Sequence, residues 1–367
     1  MAHQHNDLSV SLRGHQAVEP QDAYQGFSPS AYGAPAAYVP PAPVVPDAQG
    51  PAPLLRPLST GEILDRTLAL YRRRFWLFAG IGAVPAVVLT LSNIVRMIVA
   101  AYKHLPTTFS PGTAPNAVAN AMGTMMLLQV YFLPATLLFL VAYAISHAAT
   151  ADAVGLMTRG LTPSIAESYR HVQGRWLRWS GIALRQIWSA VWPVTIGAVI
   201  LLVSIGVLAR RGNTLLTGIA GLVGSLLMIA GSVFGILNFL RNALATPAGV
   251  SEDMGVNAAM RRSKQLAAGR KGRIFLALLL VYVLQMVAGG IQIPFVLMAS
   301  TTRGAQHVLL LAIELVVGFV ATMLVTPVAS IALYLIYVDE RVRREGYDIE
   351  VLMERSLVPV ASDVLEV

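Results

Sequence analysis

The chain has 367 residues, of which 55% are hydrophobic and 13% charged, with a mean hydropathy of +0.62 and a net charge of +8. A soluble globular domain carries about 25% charge, and here the apolar residues also come in long blocks, so the composition excludes a water-soluble fold in favour of an integral membrane protein. With no cysteine there is no disulfide framework, thiolate nucleophile or Cys-based metal site, and the seven histidines include no H-x-x-x-H pair.

Residues 1–57 hold ten of the 21 prolines and ten alanines. Such a stretch has too few large apolar groups to offset the entropy of ordering, which predicts a disordered, partly polyproline-II tail. Through residue 55 it carries −3 (Arg13 against Asp7, Glu19, Asp22 and Asp47), leaving +11 for the remainder. The first 20 residues contain no apolar run of signal-peptide length, so the membrane helices are expected to target the chain themselves.

Six apolar blocks follow, each near the ~20 residues that cross a ~30 Å hydrocarbon layer. They are placed at Trp76–Ala100, Gly123–Ser146, Gln186–Leu208, Leu215–Leu240, Ile274–Met298 and Val308–Tyr334. Arg210-Arg211-Gly212-Asn213 reads as a short turn between the third and fourth. Of the 27 basic residues, 21 fall on one face of this layout and four (Lys103, Arg210, Arg211, Arg303) on the other. Positive charge stays inside, so both termini are expected in the cytoplasm of a bacterial cell, with the chain in its inner membrane. All five tryptophans, Trp76, Trp176, Trp179, Trp188 and Trp192, cluster near the inner ends of the first and third spans. Amphipathic rings prefer that level.

A helix precedes each outward span. Ser59 and Glu62 form an S-x-x-E capping box, with Leu64, Leu68 and Tyr71 on one face, and Ser164 and Glu167 repeat the box. A third segment runs from Ala258 to Leu266. Basic clusters beginning at Arg72, Arg175 and Arg270 follow at intervals of 103 and 95 residues, and Ala149-Thr150-Ala151 resembles Ala245-Thr246-Pro247. The expected fold is therefore all-α and polytopic, with three helix hairpins over residues 58–345, each preceded by a cytoplasmic interfacial amphipathic helix. Residues 346–367 form a short tail. Basic amphipathic helices are expected to lie on anionic inner-leaflet lipids with their apolar sides in the acyl boundary. Candidate lipid contacts are Arg72, Arg73, Arg74, Arg175, Arg178, Arg261, Arg262, Arg270, Lys271 and Arg273. Ordinary juxtamembrane helices made alike by the basic inner face are the alternative.

Five spans carry one proline (Pro85, Pro134, Pro193, Pro294, Pro327), which either frames a cavity or only shapes packing. The fourth carries small residues at four-residue spacing instead, including Gly231/Gly235, and is expected at the centre of the bundle. Glu314 is the one acidic residue within a span, ~9 Å below the outer surface, and Arg96 lies ~6 Å below it on the first span. Similar depth and opposite charge make them a candidate pair, serving a proton or ligand site or only structure. Separate snorkelling to the surface is the other reading. No P-loop, H-E-x-x-H motif or catalytic serine set is present, so the chain is expected to be no enzyme and to need no cofactor. Positive-inside orientation already accounts for the basic loops, so no nucleic acid is expected as a partner.

Three separated stretches carry a likeness. They are Arg56-Pro57-Leu58-Ser59-Thr60-Gly61-Glu62-Ile63-Leu64-Asp65-Arg66, then Ala245-Thr246-Pro247-Ala248 with Ala259-Met260-Arg261-Arg262-Ser263, and Tyr337-Val338-Asp339-Glu340-Arg341-Val342-Arg343-Arg344-Glu345-Gly346-Tyr347-Asp348. Over about residues 56–350 the chain resembles the membrane domain of the glycerophosphoryl diester phosphodiesterase family. In that family a separate soluble barrel performs the hydrolysis. Only 17 residues follow Glu350, so the resemblance implies the membrane module alone. The expected role is a scaffold or accessory module in envelope or lipid-related processes. The alternative is a small-molecule or lipid transporter with a kinked-helix cavity near Glu314.

Overall fold

A computed structural model describes residues 57–102, 130–208, 214–347, 349 and 353. The expected tail before Pro57, residues 123–129 of the expected second span, the 209–213 turn and most of the C-terminal tail lie outside them. Every regular element among the described residues is helical. In chain order they are α1 (Thr60–Arg73), α2 (Phe75–Tyr102), α3 (Leu133–Thr158), α4 (Ile165–Gln173), α5 (Trp176–Leu208), α6 (Thr214–Asn242), α7 (Ala245–Ser251), α8 (Val256–Ala267), α9 (Lys271–Thr301) and α10 (Ala305–Glu345). Six of these, α2, α3, α5, α6, α9 and α10, are long and apolar enough to cross a membrane. The chain is a multi-pass membrane protein.

Local chemistry sets the helix starts. The Ser59 Oγ accepts the Glu62 N–H while the Glu62 carboxylate accepts the Ser59 N–H, and Ser164 with Glu167 does the same. The third amphipathic helix starts at Gly255 without a side-chain cap. Pro134 stands in the first turn of α3, where it removes no helical bond, while Pro85, Pro193, Pro294 and Pro327 lie inside their helices.

The spans run past the apolar blocks at one end. α3 continues twelve residues beyond Ser146, and α5 begins ten residues before Gln186. α10 has 41 residues, ~62 Å at ~1.5 Å per residue, which is twice the hydrocarbon thickness. Its C-terminal half, Pro327–Val342, is almost wholly buried, whereas its apolar N-terminal half is not. The core thus sits at the basic end of the bundle. There the ends of α3 (Ala148–Val154), α7 (Leu244–Ala248) and α10 (Ile331–Val338) pack on one another, with small residues on the first two allowing close approach.

Contacts between the three helix-hairpin units follow a cyclic rule. Each amphipathic helix packs on the hairpin before it: α4 on α2 and α3, α8 on α5, α6 and α7, and α1 on α9 and α10. The spans obey the same order, with α5 against α3, α9 against α6, and α2 against α10. The first unit therefore docks on the last, and the ring closes. Counted from their N-caps, the fourth residue (Ile63, Ser168, Ala259) and the eighth (Thr67, Val172, Ser263) of the amphipathic helices are all buried. Residues four apart share one helical face. That face is covered by the protein itself, while Leu68, on the expected apolar face with Leu64 and Tyr71, is exposed.

The fourth span is not central. α6 lies along α5, where a Cβ at Gly231 or Gly235 would collide with the Pro193 or Ala190 carbonyl, and one at Gly197 with the backbone of Met228. The small residues do bring two helices close, but α10 is the helix that touches α1, α2, α3, α7, α8 and α9.

Candidate functional site

The end of α10 carries the densest charge in the molecule. Asp339 and Glu340 are 2% and 0% exposed. The Asp339 Oδ1 accepts the Leu58 N–H at 2.6 Å, and its Oδ2 accepts from Arg273 Nη1 at 2.6 Å and Arg343 Nε at 2.9 Å. Arg273 and Arg343 also donate to the Leu58 carbonyl, at 2.6 and 2.7 Å. Glu340 accepts from Arg273 at 3.2 Å and Arg344 at 3.4 Å, with Arg270 at 3.8 Å. Every carboxylate oxygen in this pair thus has a partner, as burial of a charge demands. The residue before α1, the start of α9 and the end of α10 are fastened together at the closure of the ring.

A second cluster joins α7 and α8 to α10. The Glu252 Oε1 accepts from Arg262 Nε at 2.9 Å and from the Tyr337 hydroxyl at 2.7 Å, while Arg262 and Arg341 both reach Glu345. The bond to Glu345, ahead of the one to Glu252, raises the Arg262 pKa further. Arg341 also stacks on Tyr347, 4.1 Å from the ring centroid. Asp253, with φ +49°, presents its carboxylate to Arg175 and Arg178, and the Arg178 bond leads in holding its pKa below the usual carboxylate range.

These pairs change the meaning of the basic residues. Of the ten candidate lipid contacts, Arg175, Arg178, Arg262, Arg270 and Arg273 are paired to carboxylates of this chain. Arg72, Arg74, Arg261 and Lys271 make no ion pair among the described residues, and Arg73 is exposed beside the first two. Charge counting could not sort them, because apart from Glu252, ten residues before Arg262, the acids lie 66 to 83 residues away in sequence. Asp339, Glu340, Glu252 and Asp253 were missed as partners, although Asp339 and Glu340 stand in the C-terminal stretch on which a family resemblance was expected.

The structure does not bring Arg96 and Glu314 together. Arg96 sits over the Phe132 ring, 5.5 Å from its centroid, with its Nε buried and unbonded, and Glu314 has no partner among the described residues. Equal depth places two residues at one level but says nothing about which way each helix face turns.

Two cavities lie between spans. One, of about 290 Å³, is apolar, with Tyr143, His147, Gln186 and Thr246 among its walls. The other, of about 530 Å³, lies between α5, α6 and α8. Gln186, lining the first, donates to the Asn242 carbonyl at 2.7 Å, and Asn242 lines the second. Glu314 lines neither. No group of three or more His, Asp or Glu could hold a metal ion among the described residues. Compared with known proteins, the chain matches no family model, no curated protein and no solved structure.

Proposed function

We propose that this protein is a non-enzymatic scaffold or accessory module of the bacterial inner membrane, both termini cytoplasmic, acting in envelope or lipid-related processes. The single observation that carries this reading is the buried Asp339–Glu340 network, which ties the ring closed at the basic end. Buried charge spent on fixing helices to one another suits a rigid platform, and the exposed cations at Arg72–Arg74 and Arg261, with the half-buried Lys271, suit a face that meets anionic lipid or an acidic partner. The likeness to the phosphodiesterase family's membrane module agrees with an accessory role. A transporter centred on Glu314 draws no support from the two cavities, whose walls do not include it.

Complementation of a deletion strain tests the reading. With uptake of a membrane-impermeant dye as the measure of envelope integrity, Glu314→Gln is expected to restore the wild-type value. The triple variant Arg72→Gln, Arg73→Gln, Arg74→Gln is expected to lose at least half of the restoration at equal expression. The opposite pattern would overturn the scaffold reading in favour of transport.

A further inference from the structure

The cyclic arrangement allows equivalent positions in different units to be compared. Gly80 meets Ile165, the first residue of α4, and Gly181 meets Val256, the first residue of α8, so the first and second hairpins can be set in register. In the first hairpin, Tyr169 of α4 reaches across and its hydroxyl donates to the Ile81 carbonyl at 2.7 Å. The Ser146 Oγ donates to the same carbonyl at 3.1 Å, and the helix positions beyond are Val84, Val87 and Leu91. In the second hairpin the corresponding residues are Met260 for Tyr169, Asn242 for Ser146, and Arg185, Trp188 and Trp192 for the three aliphatic residues. The space that tyrosine bridges in one unit is the 530 Å³ cavity in the other.

We propose that this cavity binds the headgroup of an anionic, hydroxyl-bearing phospholipid of the phosphatidylglycerol type. Arg185 and Lys264 line it and make no ion pair among the described residues, and no acidic side chain is in its wall. Two cations without a counter-charge call for an anion, and a phosphodiester supplies one. Asn242 is 3% exposed, and both of its amide hydrogens are used, one to Ser189 Oγ at 3.0 Å and one to the Asn238 carbonyl at 2.9 Å. Its Oδ1 is buried with no donor. A buried acceptor left unmatched is costly, and a headgroup hydroxyl is the donor that answers it, which a choline headgroup lacks. Trp188 and Trp192 border the site, the latter held edge-on by Phe234 at 6.1 Å. Arg185 stands where the apolar run of α5 begins, and indole rings settle at the headgroup level, so the cavity sits where a phosphate would be. The inference requires the membrane crossing but not the scaffold reading.

Native mass spectrometry of the full-length protein in detergent tests it, with phosphatidylglycerol, phosphatidylcholine and inorganic phosphate as separate probes. Wild type is expected to retain phosphatidylglycerol and not phosphatidylcholine. The double variant Arg185→Gln, Lys264→Gln is expected to bind it roughly 30-fold more weakly, about fivefold for each cation near an anionic headgroup. A control, Arg159→Gln with Arg170→Gln, removes two exposed charges from the same end and is expected to bind as wild type does. Met260→Tyr, which keeps every charge but fills the cavity as Tyr169 does, is expected to abolish retention, and it decides the matter if the double variant fails to fold. Equal retention of phosphatidylcholine, equal weakening in the control, or unimpaired binding by Met260→Tyr overturns the site. Displacement by millimolar phosphate without any lipid retention overturns the lipid as its ligand.

Discussion

Asp339 has two carboxylate oxygens and three donors that need them: the Leu58 N–H, Arg273 and Arg343. Replacing it by asparagine turns one acceptor into a donor facing a guanidinium, leaving Arg343 without a carboxylate and Arg273 with Glu340 alone. Breaking a buried ion network from one side costs about 3–5 kcal/mol, so Asp339→Asn is expected to lower the apparent melting temperature in detergent sharply and to expose α1 to limited proteolysis. Asp253→Asn is the contrast, because that carboxylate is 60% exposed and solvent screens its two arginines. Its depressed pKa means that its small contribution is present above the ordinary carboxylate value of ~3.9 and fades as pH falls through the lowered one. Equal shifts for the two variants would show that the Asp339 network does not hold the ring closed. Such pairs were illegible in the sequence for a simple reason. Positive-inside bias counts arginines without regard to what they face, and Arg273 acquires its meaning only when α10 folds back beside α9. The Arg96–Glu314 expectation failed for a related reason, since depth along a helix is readable from the chain and azimuth is not.

At the scale of one helix, α6 separates two uses of glycine. A Cβ at Gly231 or Gly235 would strike a carbonyl of α5, whereas one at Gly221 would meet nothing within 4 Å. Backbone cannot yield as a flexible side chain can, so Gly231→Ala and Gly235→Ala are each expected to destabilise by about 1–3 kcal/mol. Gly221→Ala is expected to be neutral or to stabilise by up to about 1 kcal/mol, because alanine is the better helix former. Melting of the three variants in the same detergent distinguishes these outcomes, and a uniform response would mean that α5 and α6 do not approach as closely as described. The small-residue spacing did announce a close contact, yet it could not name the partner, which the order of the hairpins decides. Capping boxes were fully legible because they involve residues three apart. The length of α10 was not. Hydropathy falls away after Tyr334, but the helix continues because the polar residues from Tyr337 to Glu345 find partners on α7, α8, α9 and the segment before α1.

For the whole molecule, an even number of crossings puts Leu58 and Glu345 at the same end, and the ring closure requires it, since Leu58 bonds directly to Asp339. Which compartment that end faces follows from the distribution of arginine and can be read directly, because the chain contains no cysteine and any introduced one is the sole target for a maleimide. Arg303, between α9 and α10, and Arg261, on α8, are both exposed and lie on opposite sides of the expected layout. Neither makes an ion pair among the described residues, so cysteine at either position should leave the fold intact. In intact cells a membrane-impermeant maleimide is expected to label Arg303→Cys and to spare Arg261→Cys until the membrane is permeabilised. Labelling in the reverse order would keep the ring and invert it, moving the exposed cations and the 530 Å³ cavity to the outer leaflet. Labelling of both in intact cells would break the six-crossing topology itself, and with it the closure of α1 onto α10.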